Sequence, residues 1–272
     1  MLAFVASGVS KSIADLAGSA KRSRRMAAIL DTIAARRDAS VAMLAETFGA
    51  SPATIRRDLA VLTDQGLIVR THGGAEEGGR MAEMPVALRD TRFHDAKQRI
   101  ARAAAARIPR ERHAVALSGG TTAAGVAREL AHRRELTIVT NSLSIAMQVA
   151  SNPGPLVVMT GGILRPLSLE LVGVLAEGTF TAVNVGTAIL GADGMSADAG
   201  VTTHDETEAR TNHAMVAKAS RTIVVADGSK IGHAALARMA DSDQIDMLIT
   251  DESADSEELD RLRALGVEIV LA

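Results

Sequence analysis

Five short clusters in the second half of this chain bring together groups that can hold an anion: Ser118-Gly119-Gly120-Thr121-Thr122, Thr140-Asn141-Ser142, Thr160-Gly161-Gly162, Gly191-Ala192-Asp193-Gly194 and Asp227-Gly228-Ser229-Lys230. Glycine lets backbone N–H groups approach an anion closely, Ser and Thr hydroxyls donate to it, and a helix opening behind such a loop adds positive potential. The chemistry is recognition rather than bond-making, and a phosphate is the natural guest. Lys230 and Lys218 are the candidate cations, and Asp193 the candidate acceptor for sugar hydroxyls. One such loop alone is more often a tight strand-to-helix turn; the recurrence points to a site.

A second constellation lies nearer the amino terminus, in Ser51-Pro52-Ala53-Thr54-Ile55-Arg56-Arg57-Asp58-Leu59. With Ile55, Leu59 and Leu62 as the buried stripe of a helix, and about 100° of rotation per residue, Ala53 and Arg57 point away from the core, flanked by Thr54 and Arg56. An arginine there can grip guanine O6 and N7 or a phosphate, and a threonine can meet a thymine methyl. Leu67, Val69 and Thr71 alternate around Ile68 and Arg70 before Gly73-Gly74, as a short hairpin wing does; Arg70 and His72 then sit near the phosphates or the minor groove. The candidate DNA contacts are therefore Ser51, Thr54, Arg56, Arg57, Arg70 and His72.

The elements that must position these residues are legible from periodicity. Met26, Ile29, Leu30 and Ile33 mark one amphipathic helix, and Val41, Leu44, Ala45 and Phe48 a second. Gly49-Ala50 turns the chain, Ser51 offers an N-cap hydroxyl and Pro52 suits the first helical position of the third helix. From Lys21 to Ala75 there are 9 Lys or Arg against 5 Asp or Glu, a local net of +4 in a chain whose net charge is −2. Basicity is concentrated where nucleic acid would touch.

In the second half, β-rich runs at 114–117, 137–140, 156–160, 187–190, 222–226, 247–250 and 268–271 alternate with helical patterns at 122–131, 142–150, 206–219 and 256–265. This implies a largely parallel sheet with helices on both faces. An alanine-rich helix from Arg92 to Ile108, with Phe93, Ala96, Ile100, Ala103 and Ala104 on one side, precedes them. Ligands bind at the carboxyl ends of parallel strands, and each of the five clusters follows one of the runs. The candidate ligand contacts are Ser118, Gly119, Gly120, Thr121, Thr122, Asn141, Ser142, Gly161, Gly162, Gly191, Asp193, Gly194 and Lys230.

Composition removes other chemistries. There is no cysteine, hence no disulfide, thiolate nucleophile or Cys-based zinc site, in keeping with a reducing cytoplasm. The aromatics are four Phe, so no Trp or Tyr platform can stack on a sugar. No apolar run approaches the roughly 18 residues that cross a bilayer, and neither a cofactor nor a metal is expected. Residues 1–20 read as a poorly ordered extension or an overcalled start.

Together the clusters, with Arg70-Thr71-His72-Gly73-Gly74-Ala75, Val139-Thr140-Asn141-Ser142-Leu143 and Gly161-Gly162-Ile163-Leu164-Arg165-Pro166, resemble the DeoR family of bacterial transcriptional repressors from about Ser23 to the carboxyl terminus. The resemblance implies a winged helix-turn-helix over residues 21–75, a linker over 76–91, and an α/β sensor domain over 92–272 similar in fold to ribose 5-phosphate isomerase and the CoA transferases. It implies repression of a sugar or polyol catabolic operon, release from operator DNA by a phosphorylated sugar or polyol, and a homodimer or homotetramer. One departure stands out: the family commonly has Asp where this chain has Leu117, and Thr where it has Gly120. Two rival readings are an isomerase fused to a DNA-binding head, with Asp193, Asp205 or Glu206 as base, and an activator of the same fold.

Overall fold

The computed structural model describes residues 20–78, 83–89 and 92–272; the expectation for residues 1–20 lies outside them except at Ala20, which opens the first helix. The chain divides into two compact units, Met1–Arg92 and Phe93–Ala272.

In the first unit, α1 (Ala20–Arg36) buries Met26, Ile29, Leu30 and Ile33 and ends where Arg37 turns left-handed. After β1 (Asp38–Ser40), Ser40 caps α2 (Val41–Thr47) by accepting the Met43 N–H at 3.2 Å. Helix α3 (Pro52–Asp64) starts on its proline, and Ser51 Oγ accepts the Thr54 N–H at 3.2 Å, satisfying one of the donors a helix start leaves bare. Ile55, Leu59 and Leu62 are wholly buried. Strands β2 (Ile68–Thr71) and β3 (Gly74–Glu77) form the hairpin, and β1 pairs along the other side of β3.

The sequence did not signal β1, whose three residues carry no periodic pattern. The inward residue of β2 is Ile68, while Val69 is half exposed. Two features fall in the stretch expected to be linker: β3 runs on to Glu77, and α4 (Val86–Arg89) drops Leu88 into the same core as Ile29 and Leu59. An aliphatic side chain with a pocket in reach is more stable buried, by about 1.5–3 kcal/mol.

The second unit opens with α5 (His94–Ala105). Phe93, expected on its buried side, instead precedes the helix in a left-handed conformation and is half exposed. Then follow β4 (His113–Leu117), α6 (Thr121–Leu130), β5 (Leu136–Thr140), α7 (Leu143–Ala150) and β6 (Leu156–Met159). A hairpin, β7 (Ile163–Arg165) and β8 (Glu170–Val172), leads to α8 (Val174–Thr181). The remainder is β9 (Thr187–Gly191), β10 (Gly194–Ser196), β11 (Gly200–Thr203), α9 (Glu206–Val216), β12 (Thr222–Val225), β13 (Ala237–Ala240), β14 (Met247–Thr250), α10 (Ser256–Ala264) and β15 (Glu268–Leu271).

All seven β-rich runs become the strands of one parallel sheet, ordered β15-β14-β12-β9-β4-β5-β6. Alternate residues feed separate cores on its two faces: Ala116, Leu190, Val224 and Leu248 meet Phe180 and Met215, while Leu117, Ile138, Ile189 and Ile249 meet Ile100, Val126 and Leu130. Burial on both faces is why the strands read as continuous apolar runs. From β4 the chain winds out to β6 on one side, and from β9 it winds out to β15 on the other. The winding reverses between β4 and β9, and a crevice opens beyond the carboxyl ends of strands at such a reversal. A small antiparallel sheet, β10-β11-β13, and the β7–β8 hairpin stand apart from the main sheet.

Candidate functional site

In the first unit, the Ser51 cap and the Ile55–Leu59–Leu62 stripe fix which way α3 faces. Ala53, Arg56 and Arg57 are exposed, Thr54 is half-buried, and Arg70, Thr71 and His72 are exposed at the tip of the hairpin. Ser51 Oγ also lies 2.9 Å from Thr54 Oγ1, so these two hydroxyls are engaged in shaping the helix start. Asp58, on the same helix, is 1% exposed and takes two arginines from α1: Arg22 Nε at 3.1 Å and Arg25 Nε at 2.6 Å. Two of the nine basic residues counted in this region are thus turned inward as a clamp between α1 and α3.

In the second unit, the loops after β4 and β9 meet across the winding reversal. Ser118 Oγ accepts the Gly191 N–H at 2.9 Å, and a Cβ on Gly191 would stand 2.9 Å from the Gly119 carbonyl. Gly120 begins α6 at φ +94° with no side-chain cap, leaving the first N–H groups of that helix uncapped by a side chain. That φ explains the glycine, since a threonine would be strained there. Thr122 is buried and Thr121 half-buried. Thr140 Oγ1 donates to Leu117 O at 2.7 Å and accepts the Ser142 N–H; Ser142 in turn caps α7 through the Ile145 N–H.

Other expected residues have structural duties. Gly162 is pressed by the backbone of β8, a Cβ there lying 2.7 Å from Val172 O, and Gly194 is pressed by His233 O at 2.5 Å. Lys230 is half-buried on a 3-10 turn, and its ammonium has no hydrogen-bond or ion-pair partner among the described residues. Lys218 is exposed, and its carbonyl accepts from Val185, just before β9. It therefore lies at the amino ends of the strands, away from the rim, and is withdrawn as a candidate cation.

Beneath Gly119 lies a buried carboxyl. Glu170 Oε2 accepts from Asn141 Nδ2 at 2.9 Å and from Asn212 Nδ2 at 3.4 Å, and a Cβ on Gly119 would come within 2.2 Å of Glu170 Oε1. Burial and the neighbouring Glu208 push its pKa up to about 8, against the pull of the two amides and the Gly119 N–H, so it is largely protonated at neutral pH. Arg165 stands directly opposite Glu170 in the hairpin register, yet its guanidinium bonds Glu208 and reaches Asp205 at 3.2 Å. Thr203 Oγ1 links Glu208 at 2.7 Å to Asp193 at 3.1 Å. The side-chain amide oxygens (Oδ1) of Asn141 and Asn212 are buried without a hydrogen-bond partner among the described residues. The loops at the winding reversal thus carry an uncapped helix start at Gly120 and, beneath them, several buried acceptors and an arginine, Arg165, held by carboxylates.

Comparison with known proteins agrees with both halves of this description. Residues 25–77 match the model of the DeoR-like helix-turn-helix domain, and residues 92–252 that of the DeoR C terminal sensor domain. The chain belongs to the DeoR family. As a DeoR protein it is a DNA-binding transcriptional regulator and not an enzyme. It is 34% identical to the putative aga operon transcriptional repressor of Escherichia coli O157:H7, over 92% of this chain and 93% of that one. It is 35% identical to the HTH-type transcriptional regulator GlpR of Haloferax volcanii (92% and 97%), and 31% identical to the glycerol-3-phosphate regulon repressor of Escherichia coli K12 (85% and 91%). The ribose 5-phosphate isomerase A of Methanocaldococcus jannaschii aligns over 50% of this chain and 54% of its own, at TM-score 0.38 and 19% identity.

Four residues of this DeoR protein's crevice escaped the sequence reading: Arg165, Glu170, Glu208 and Asn212. Arg165 was legible only as part of a longer motif. The others come from a hairpin and a helix whose approach to the rim no local pattern announces, although an Arg and a Glu five apart around Pro166 would face one another in a hairpin.

Proposed function

We propose that this DeoR protein represses a sugar or polyol catabolic operon in the cytoplasm. It binds operator DNA as a symmetric homodimer or homotetramer and is released by a phosphorylated sugar or polyol. The observation that carries the reading is the presence in one chain of an exposed Arg56–Arg57 face on a Ser51-capped helix and of a glycine rim on which Lys230 has no partner among the described residues. Thr54, Arg56 and Arg57 read the major groove, and Arg70 and His72 follow the backbone or minor groove. The phosphate sits on the uncapped start of α6 at Gly119–Thr122, drawn by its N–H groups and by Lys230. Sugar hydroxyls face Asp193, Asn141 and the floor beneath them.

Release requires that the ligand favour an arrangement in which two heads no longer match two half-sites, because a ligand shifts an equilibrium only by its differential affinity. Deleting the gene and reading a reporter at its own promoter tests the sign of regulation. Derepression is expected; a fall in expression would make the protein an activator.

A further inference from the structure

The sensor unit carries an apolar face that its own fold leaves uncovered. Leu156 and Met159 lie on β6, Ile163 and Leu164 on β7, and Val174 and Leu175 on α8; of these Leu156, Ile163, Val174 and Leu175 are 65–75% exposed. They lie on elements that come together at this edge: β7 follows β6 after three residues, and Leu175 Cβ on α8 lies 3.6 Å from where a Cβ on Gly161, in the turn between β6 and β7, would stand. Strand β6 ends the seven-stranded sheet, with β5 on one side and no strand among the described residues on the other. Its sequence, Leu-Val-Val-Met, has none of the charges, prolines or bulges that protect a free edge. The opposite edge, β15, carries one charge, Glu268, 3.8 Å from Arg221.

We propose that this face holds a second copy of the chain across a two-fold axis, β6 beside β6. An uncharged apolar face is complementary to itself, as a two-fold contact demands. An aliphatic side chain presents roughly 60–120 Å², so six at these exposures offer about 200–400 Å². A standard interface takes about 450 Å² of apolar surface from each partner, so the face supplies half or more of what a stable dimer needs. The occupant is a second copy because a two-fold operator must meet two heads; here the inference rests on the proposed function. The β7–β8 hairpin carries both Arg165 and Glu170, which bond within the site, and the exposed Ile163 and Leu164, so a ligand and the subunit contact act on one element.

Sedimentation of the full chain tests it, comparing wild type with an Ile163→Glu, Val174→Glu double variant. Leu236→Glu is the control, since Leu236 is 75% exposed and not on these elements. Wild type and Leu236→Glu should show at least twice the 28.3 kDa chain mass. The double variant should fall to half that mass or less with unchanged circular dichroism, and lose at least about 100-fold in operator affinity as the second head's avidity disappears. Should the double variant not fold, Ile163→Ser must lower the assembly's stability to dilution. A double variant of wild-type mass would overturn this face alone; a monomeric wild type bound to its operator would overturn the symmetric reading as well.

Discussion

Replacing Glu170 by glutamine keeps the side chain's shape and removes its titration. In the folded protein the carboxyl is fully buried, accepts from Asn141 and Asn212, and has no ion-pair partner among the described residues; Arg165, opposite it in the hairpin, bonds Glu208 and Asp205. Burial first, and Glu208 second, raise its pKa from 4.5 to about 8. The sign follows from linkage. Between those values the unfolded chain has released the proton and the folded chain keeps it, so stability is fully present below about pH 4.5 and is lost as pH rises through about 8. The limiting slope is about 1.4 kcal/mol per pH unit. With discounts for relaxation and for coupling to Glu208, the total is about 2–4 kcal/mol. Glutamine places an NH₂ where the Gly119 N–H points, at a pH-independent cost of about 1 kcal/mol. Urea unfolding, followed by far-UV circular dichroism because the chain has no Trp or Tyr, should show Glu170→Gln slightly less stable than wild type near pH 5 and more stable above pH 8. The difference between the two proteins cancels the titrating groups that are not coupled to Glu170, leaving Glu170 and its neighbour Glu208. If it does not change with pH, Glu170 is not held protonated and the reading of the crevice floor is wrong.

Other consequences are direct. Asp58→Ala removes the carboxylate that holds Arg22 and Arg25, and should destabilise the first unit by about 2–4 kcal/mol, discounted because Arg22 is 38% exposed; an unfolding midpoint unmoved in urea would contradict the clamp. Arg57→Ala should weaken operator binding by about 1–3 kcal/mol if it grips a base, or reduce the salt dependence by about one counterion if it grips a phosphate. Ligand binding by that variant should be unchanged, and a fluorescence anisotropy titration across salt concentrations distinguishes the two contacts. Lys230→Ala should still bind operator but resist release, as read by the phosphorylated-sugar concentration needed to free labelled DNA; a normal response would move the anion elsewhere on the rim.

Much of the architecture was open to inspection in the sequence because burial on both faces writes long apolar runs, and all seven of those runs are strands of the main sheet. The start of α3 was equally legible, since a serine cap and a first-turn proline leave little choice. Elements of three or four residues were not. Strands β1 and β13 owe their existence to partners distant in sequence, such as the approach of β1 to Gly74, where a Cβ would lie 2.2 Å from Ala39 O. The rim's glycines were found by type, but type alone could not separate Gly120, which leaves a helix start open, from Gly162 and Gly194, which make room for neighbouring backbone. Nor could it find Glu170, whose significance comes from Asn212, 42 residues away. The charge count was misleading in one respect, because Arg22 and Arg25 serve Asp58.

The central claim is that one protein couples operator DNA to a phosphorylated metabolite through this crevice. The most direct measurement titrates the complex of the full chain and its own promoter DNA with a panel of sugar and polyol phosphates and with the same compounds unphosphorylated. Release by one phosphorylated compound, and not by its unphosphorylated form, is the expected result. A complex that no member of the panel disturbs would contradict the account and leave a DNA-binding protein whose rim serves some other purpose.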